Sequence, residues 1–131
     1  MNQEDLAFTP ALEQARLIRE RQLSPLELVE LYLDRIQRFN PLLGSYFTVT
    51  TDAAIADAKA KTEMLAGGLE ELPPFFGVPI SIKDLNSVAG VSCTFGNPAL
   101  LNNIPDFDDG VVTRIKQAGF ILLGKTATSE L

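Results

Sequence analysis

Lys83 lies in an apolar run, Phe75-Phe76-Gly77-Val78-Pro79-Ile80-Ser81-Ile82-Lys83-Asp84-Leu85, and that placement is what could do chemistry. A short apolar run bounded by turn residues reads as a buried strand, and lysine is almost never fully buried unless something pairs with it. Burial disfavours the ammonium form of a lysine and can turn a solvated cation into a base usable near neutral pH. The plainer reading is a lysine at a strand end, its head in water or paired with Asp84. On a period-two strand Ser81 and Lys83 share one side while Ile80 and Ile82 take the other, so one face is polar.

The other reactive residue types narrow the field. The chain has no histidine, which removes from it a Ser-His-Asp triad, a His-ligated metal and a His general base. Any base must be Lys, Asp or Glu. Cys93 is the single cysteine; it forms no internal disulfide framework or Cys-based zinc site, suits a reducing compartment, and reads as a small buried hydrophobe. No metal or cofactor is expected. Gly119-Phe120-Ile121-Leu122-Leu123-Gly124-Lys125-Thr126 fits the phosphate-loop pattern letter for letter. A phosphate loop must follow a strand and open a helix, whereas here the first glycine follows a helix and bulky strand formers fill the interior. The match reads as accidental.

Composition sets the class. The 131 residues, 46% hydrophobic and 21% charged, suit one folded domain with a core of its own. A net charge of -6 argues against direct nucleic-acid contact, since Lys59 and Lys61 make no clustered basic face. The acidic start, Met1-Asn2-Gln3-Glu4-Asp5, is unlike a secretory signal, and no apolar run approaches the ~20 residues of a membrane span. A soluble, cytoplasmic chain without a membrane partner is expected.

Three helices come first, in a layer over residues 1–70. Thr9 can cap a helix with Pro10 at its first position and an apolar face of Leu12, Ala15, Leu17 and Ile18. Ser24-Pro25-Leu26-Glu27 is a capping box, followed by Leu26, Val29, Leu33 and Ile36 at helical spacing and a stop at Asn40-Pro41. After an extended piece at Tyr46 to Val49, Thr51 or Asp52 opens an alanine-rich helix closed by Gly67-Gly68. Such small-sided helices pack closely against another surface and suggest a wrapping layer. Residues 71–131 read as the start of an α/β core. The Lys83 strand is followed by a turn at Ala89-Gly90, a loop from Gly96 to Pro105, a helix after Asp106, Asp108 and Asp109, and a strand at Phe120 to Leu123. That order suggests a parallel crossover unit. With only two strands an apolar edge would stay open, so a larger fold is expected.

Read together, several segments resemble the amidase signature family. They are Gly77 to Asp84, Gly90-Val91, Thr94-Phe95-Gly96-Asn97-Pro98-Ala99-Leu100, Val111-Val112, Ala118-Gly119 and Ile121 to Thr126. The similarity in order and spacing extends over the whole chain, capping box included. It implies the fold class α/β, with an amino-terminal helical layer and the first strands of an α/β/α sandwich, all within a single amidase domain spanning 1–131. It also implies hydrolysis of carboxamide C–N bonds by a Ser, cis-Ser, Lys triad without a metal, with Lys83 at the position of the catalytic lysine.

The departures bear on the same expectation. The family's two serines and oxyanion donors lie in a Gly- and Ser-rich stretch that this chain lacks, and Ser81, Ser87, Ser92 and Ser129 are not at matching positions. Ala127 stands where many members have asparagine. The expected function is therefore the amino-terminal segment of an amidase with Lys83 as general base, inactive as this chain alone. The substrate is a small-molecule amide and the partners are a second copy or amidotransferase subunits. The alternative is a non-enzymatic remnant or interaction module that docks to another chain. Lys125, which also follows an apolar strand, is the rival base; a turn at Gly124 is expected to free it to reach water.

Overall fold

The computed structural model of the protein describes residues 2–129. Helix α1 (Gln3–Ala7), which the sequence pattern does not announce, is capped by Asn2, whose Oδ1 accepts the Asp5 N–H at 2.8 Å. The Thr9 hydroxyl donates back to the Asp5 carbonyl at the end of that helix, and Pro10 itself takes the N-cap position of α2 (Ala11–Arg19). The expected Thr9 cap is thus displaced by one residue.

Helix α3 (Pro25–Leu43) starts where the capping box places it. The Ser24 Oγ accepts the Glu27 N–H at 3.0 Å, and its hydroxyl donates to Glu27 Oε1 at 3.1 Å. The helix does not stop at Asn40-Pro41. Pro41 falls in the last turn, where its missing N–H forfeits only one bond, and Gly44, at φ 62°, ends the helix in the left-handed conformation. The freed Asn40 side chain then brackets Tyr46, accepting its N–H at 2.8 Å and donating to its carbonyl at 3.2 Å. That clasp begins strand β1 (Tyr46–Val49).

Helix α4 (Thr51–Ala66) turns Ala54 and Ala58 inward. Together with Val29 of α3 they pack on Ile121 and Leu123, the small side chains letting the helix come close to the sheet. Strand β2 (Pro79–Lys83) leads through a loop containing a short 3-10 turn at Pro98–Leu100 into α5 (Gly110–Gln117) and then β3 (Ile121–Thr126). The sheet order is β1-β3-β2, with β2 parallel and β1 antiparallel to β3. The crossover unit is as expected, and Tyr46–Val49 supplies a third strand. Helices α3 and α4 cover Ile121 and Leu123, whereas Val112 of α5 packs with Ile82, Val88 and Leu122. Layers of helix therefore lie on both faces.

Strand β3 runs on through Gly124 to Thr126, beyond the expected end at Leu123, because it is the central strand with a ladder on each side. Its register with β2 slips between Ile80↔Leu122 and Ser81↔Gly124, which gives β3 one extra residue there. Gly124 is a notch rather than a turn. A Cβ there would lie 3.0 Å from Tyr46 Cδ1 and still closer to the Thr48 carbonyl oxygen. Through that notch the Tyr46 side chain spans the central strand, and its hydroxyl hydrogen-bonds the Ser81 Oγ on β2.

The entry to α5 also departs from expectation. Asp109 occupies the N-cap position without a side-chain cap bond. Its Oδ2 instead accepts the Ser87 N–H, and Asp108 Oδ1 accepts the Ala89 N–H, each at 2.8 Å, so these carboxylates tie the loop after β2 to the helix.

Gly124→Ala should destabilise the protein by about 1–3 kcal/mol or more through overpacking, measured as the shift of its urea midpoint. The Ala89 N–H and the Lys116 ammonium hold the Asp108 carboxyl below its ordinary 3.8. A depressed carboxyl stabilises the fold fully above its unfolded value and loses that contribution as pH falls through the folded one. Asp108→Asn should therefore lower stability near neutral pH and flatten its decline below about pH 4, read from melting temperature against pH.

Candidate active site at the ends of β2 and β3

Lys83 is the last residue of β2, paired in register with Thr126 at the carboxyl end of two parallel strands. Open α/β sheets bind their ligands at such ends. Its side chain is exposed, and among the described residues its ammonium has no ion-pair partner. The expected withdrawal from water is not met in this chain, because Lys83 closes an outer strand while the inward alternation belongs to Ile82, which is buried. Nor does Lys83 pair with Asp84. Ser81, two residues back, shares its side of β2 and is engaged by Tyr46.

Asp84 has another partner. Its side chain and that of Lys125 are both 0% exposed, and Lys125 Nζ donates to Asp84 Oδ1 at 3.0 Å. The expectation that Lys125 reaches water is overturned. The extra residue in β3 aligns Lys125 with Ile82, and directly paired residues of parallel strands point to one face. Lys125 therefore lies on the α5 side with Ile82, and Lys83, one position on, points to the opposite side. A lysine sealed on Asp84 is not available to a substrate, so the rival base is removed.

The second Asp84 oxygen holds a loop. Oδ2 accepts the Thr94 N–H at 3.1 Å and also the Thr94 hydroxyl. Thr94 Oγ1 in turn accepts the Gly96 N–H at 3.2 Å. Between them Phe95 has φ 52°, a conformation uncommon outside glycine that costs on the order of 1–3 kcal/mol. The Asp84 N–H donates to the Thr126 carbonyl at 3.0 Å, which closes the strand pair. Cys93 is fully buried with its Sγ 3.9 Å from the carbonyls of Asp84 and Asn86, as a small core residue should be.

The phosphate-loop pattern resolves as strand β3 preceded by Gly119 at the end of α5, so it cradles nothing. A broad groove between α3 and α4, lined by Glu30, Leu33, Gln37, Val49, Thr51 and Ile55, does not include Lys83. Among the described residues no three His, Cys, Asp or Glu side chains gather as a metal set, and no helix is long and apolar enough to cross a membrane. What sequence reasoning misses is the Asp84–Lys125 pair. The signal is present, since the question asked of Lys83, what pairs a lysine in an apolar strand, applies equally to Lys125.

The family model described as Amidase matches residues 27–131. A Synechocystis sp. protein named "Putative amidase" is 50% identical over 129 residues, covering 97% of this chain and 26% of its own length. A glutamyl-tRNA(Gln) amidotransferase subunit of Acidothermus cellulolyticus is 37% identical over 126 residues, 96% of this chain and 25% of that protein. The chain thus spans about a quarter of the length of these curated relatives. Among solved structures, a bacterial aryl acylamidase of the amidase signature enzymes superposes with TM-score 0.86 at 26% identity, over 94% of this chain and 26% of that one. The peptide amidase of Stenotrophomonas maltophilia does so with TM-score 0.81 at 28% identity, over 91% and 24%.

Breaking a buried pair on one side strands a charge. Lys125→Met or Asp84→Leu alone should each lower stability by about 3–5 kcal/mol, measured by urea denaturation of the chain.

Proposed function

The chain belongs to the amidase signature family, and on that premise we propose that it supplies the catalytic lysine, Lys83, of an enzyme that hydrolyses carboxamide C–N bonds. The observation that carries this reading is the contrast between two lysines at the same strand ends. Lys125 is sealed on Asp84, while Lys83 is exposed and, among the described residues, unpaired.

In the reaction we propose, a bridging serine gives its proton to the uncharged Lys83 amine and takes one from a nucleophilic serine. The resulting alkoxide adds to the amide carbon, and backbone N–H groups hold the charge that develops on the carbonyl oxygen. The proton taken by Lys83 returns through the bridging serine to the departing amine as the C–N bond breaks. Water then hydrolyses the acyl-serine by the same relay. Lysine serves as such a base only where water is stripped from it, and further structure laid over the exposed Lys83 side of β2 would do that. Both serines would come from sequence outside this chain, so the chain alone is inactive. No cofactor enters the scheme.

The relatives divide between proteins named as amidases and amidotransferase subunits. A small-molecule amide substrate and either a homodimer or amidotransferase partner subunits fit that division. Direct nucleic-acid contact does not fit a net charge of -6, and the setting we propose is the cytoplasm. The alternative is a non-catalytic remnant that docks to another chain. The coding DNA beyond Leu131 separates the two: a Gly- and Ser-rich continuation supports the enzyme, an immediate stop codon the remnant.

Joined to the remaining three-quarters of the Synechocystis relative, the chain should release ammonia from primary carboxamides. Lys83→Ala should lower kcat by about 10²–10⁴-fold with the melting temperature unchanged, and near-normal turnover overturns the role given to Lys83.

A further inference from the structure

We propose that Asp84 and Lys125 are positioning residues: their buried ion pair fixes from behind the strand end whose front carries Lys83, and holds the Thr94–Asn97 turn in the same frame. This rests on the reading of Lys83 as the base. Lys83 ends an outer strand, a position that frays unless something ties it. Three ties converge on the next residue. The Asp84 N–H is bonded to the Thr126 carbonyl, Oδ1 takes Lys125 Nζ from the central strand, and Oδ2 takes both donors of Thr94.

The turn depends on the same carboxylate. Phe95 at φ 52° and Gly96 at φ 79° follow Thr94, whose hydroxyl oxygen receives the Gly96 N–H. Asn97 Oδ1 then accepts the Ala99 N–H to start the short 3-10 turn. At the base of the loop, Cys93 and Asn103 exchange bonds: the Cys93 N–H donates to the Asn103 carbonyl, and Asn103 Nδ2 to the Cys93 carbonyl, each at 2.9 Å. The turn itself is closed by the Asn97 N–H on the Thr94 carbonyl at 2.9 Å, and Asp84 is what ties that turn to the strand end.

Energetics argue for position over stability. Two fully desolvated charges are a poor way to stabilise a core, and an apolar pair of like volume is often as good or better. What the ion pair and its hydrogen bonds add is direction, because a carboxylate with three donors around it admits one arrangement.

That difference makes the test. Asp84→Leu combined with Lys125→Met removes both charges together, and the double variant of this chain is expected to unfold at a higher urea concentration than either single variant, short of the unsubstituted chain because the buried Thr94 donors lose their acceptor. The Thr94 and Gly96 amides should nevertheless exchange with solvent at least about tenfold faster. In the polypeptide joined to the remainder of the Synechocystis relative, kcat should fall by about tenfold or more with KM within about threefold, the pattern of a misplaced base. Thr94→Val, which leaves the ion pair in place and removes the hydroxyl on Asp84 Oδ2, serves if the double variant does not fold; because it also deletes the acceptor of the Gly96 N–H, it is read at Asn97, whose N–H on the Thr94 carbonyl should exchange faster. Exchange at the wild-type rate in whichever variant folds overturns the proposal. If Lys83→Ala retains turnover while exchange still quickens, the base assignment fails and the anchoring of the strand end stands.

Discussion

A lysine and an aspartate sealed from solvent, 3.0 Å apart at the ends of two parallel strands, set the terms for the rest of this protein. Neither can be sealed alone, because an unpartnered charge in a dry interior is among the costliest things a fold can contain. The strand ends must therefore stay in register to within a hydrogen bond. The extra residue in β3 turns Lys125 toward Asp84, and the aligned ends of β2 and β3 bring the two within reach. The loop after β2 returns to satisfy the second carboxylate oxygen.

That arrangement sorts two chemically identical side chains into different roles. Neighbouring register positions on paired strands face opposite ways, so Ile82 and Lys125 look toward α5 while Lys83 looks to the other side. The protein thereby keeps one amine as an internal counter-ion and leaves the other at a surface where a ligand could meet it. The Tyr46 hydroxyl on Ser81 makes that second side a small polar patch on an otherwise apolar sheet. Family membership and the solved relatives agree with this α/β architecture.

Much of this can be read from local sequence. The Ser24-Pro25-Leu26-Glu27 box, the alanine helix closed at Gly67 and the Tyr46–Val49 strand all declare themselves through short-range rules that tertiary contacts do not override. Local rules misplace the helix end at Pro41 because a proline in a final turn loses little, and Gly44 is the stronger stop. They misjudge Lys125 for a related reason: Gly124 looks like punctuation, whereas its lack of a side chain is needed for Tyr46 to cross. Pattern rules see one strand at a time. A bulge and a notch are properties of three strands together, and they decide where Lys83 and Lys125 point.

The same notch ties two positions together in one direction only. A methyl group at 124 would strike the Thr48 carbonyl oxygen and the Val49 Cα, main-chain atoms of the neighbouring strand, as well as the Tyr46 ring. Trimming the aromatic would leave the main-chain obstacle where it is, so loss of Tyr46 does not license a side chain at 124. The tyrosine needs the glycine, whereas the glycine is required by the strand pairing itself. Divergence among related chains should therefore show 46 varying over an unchanging 124.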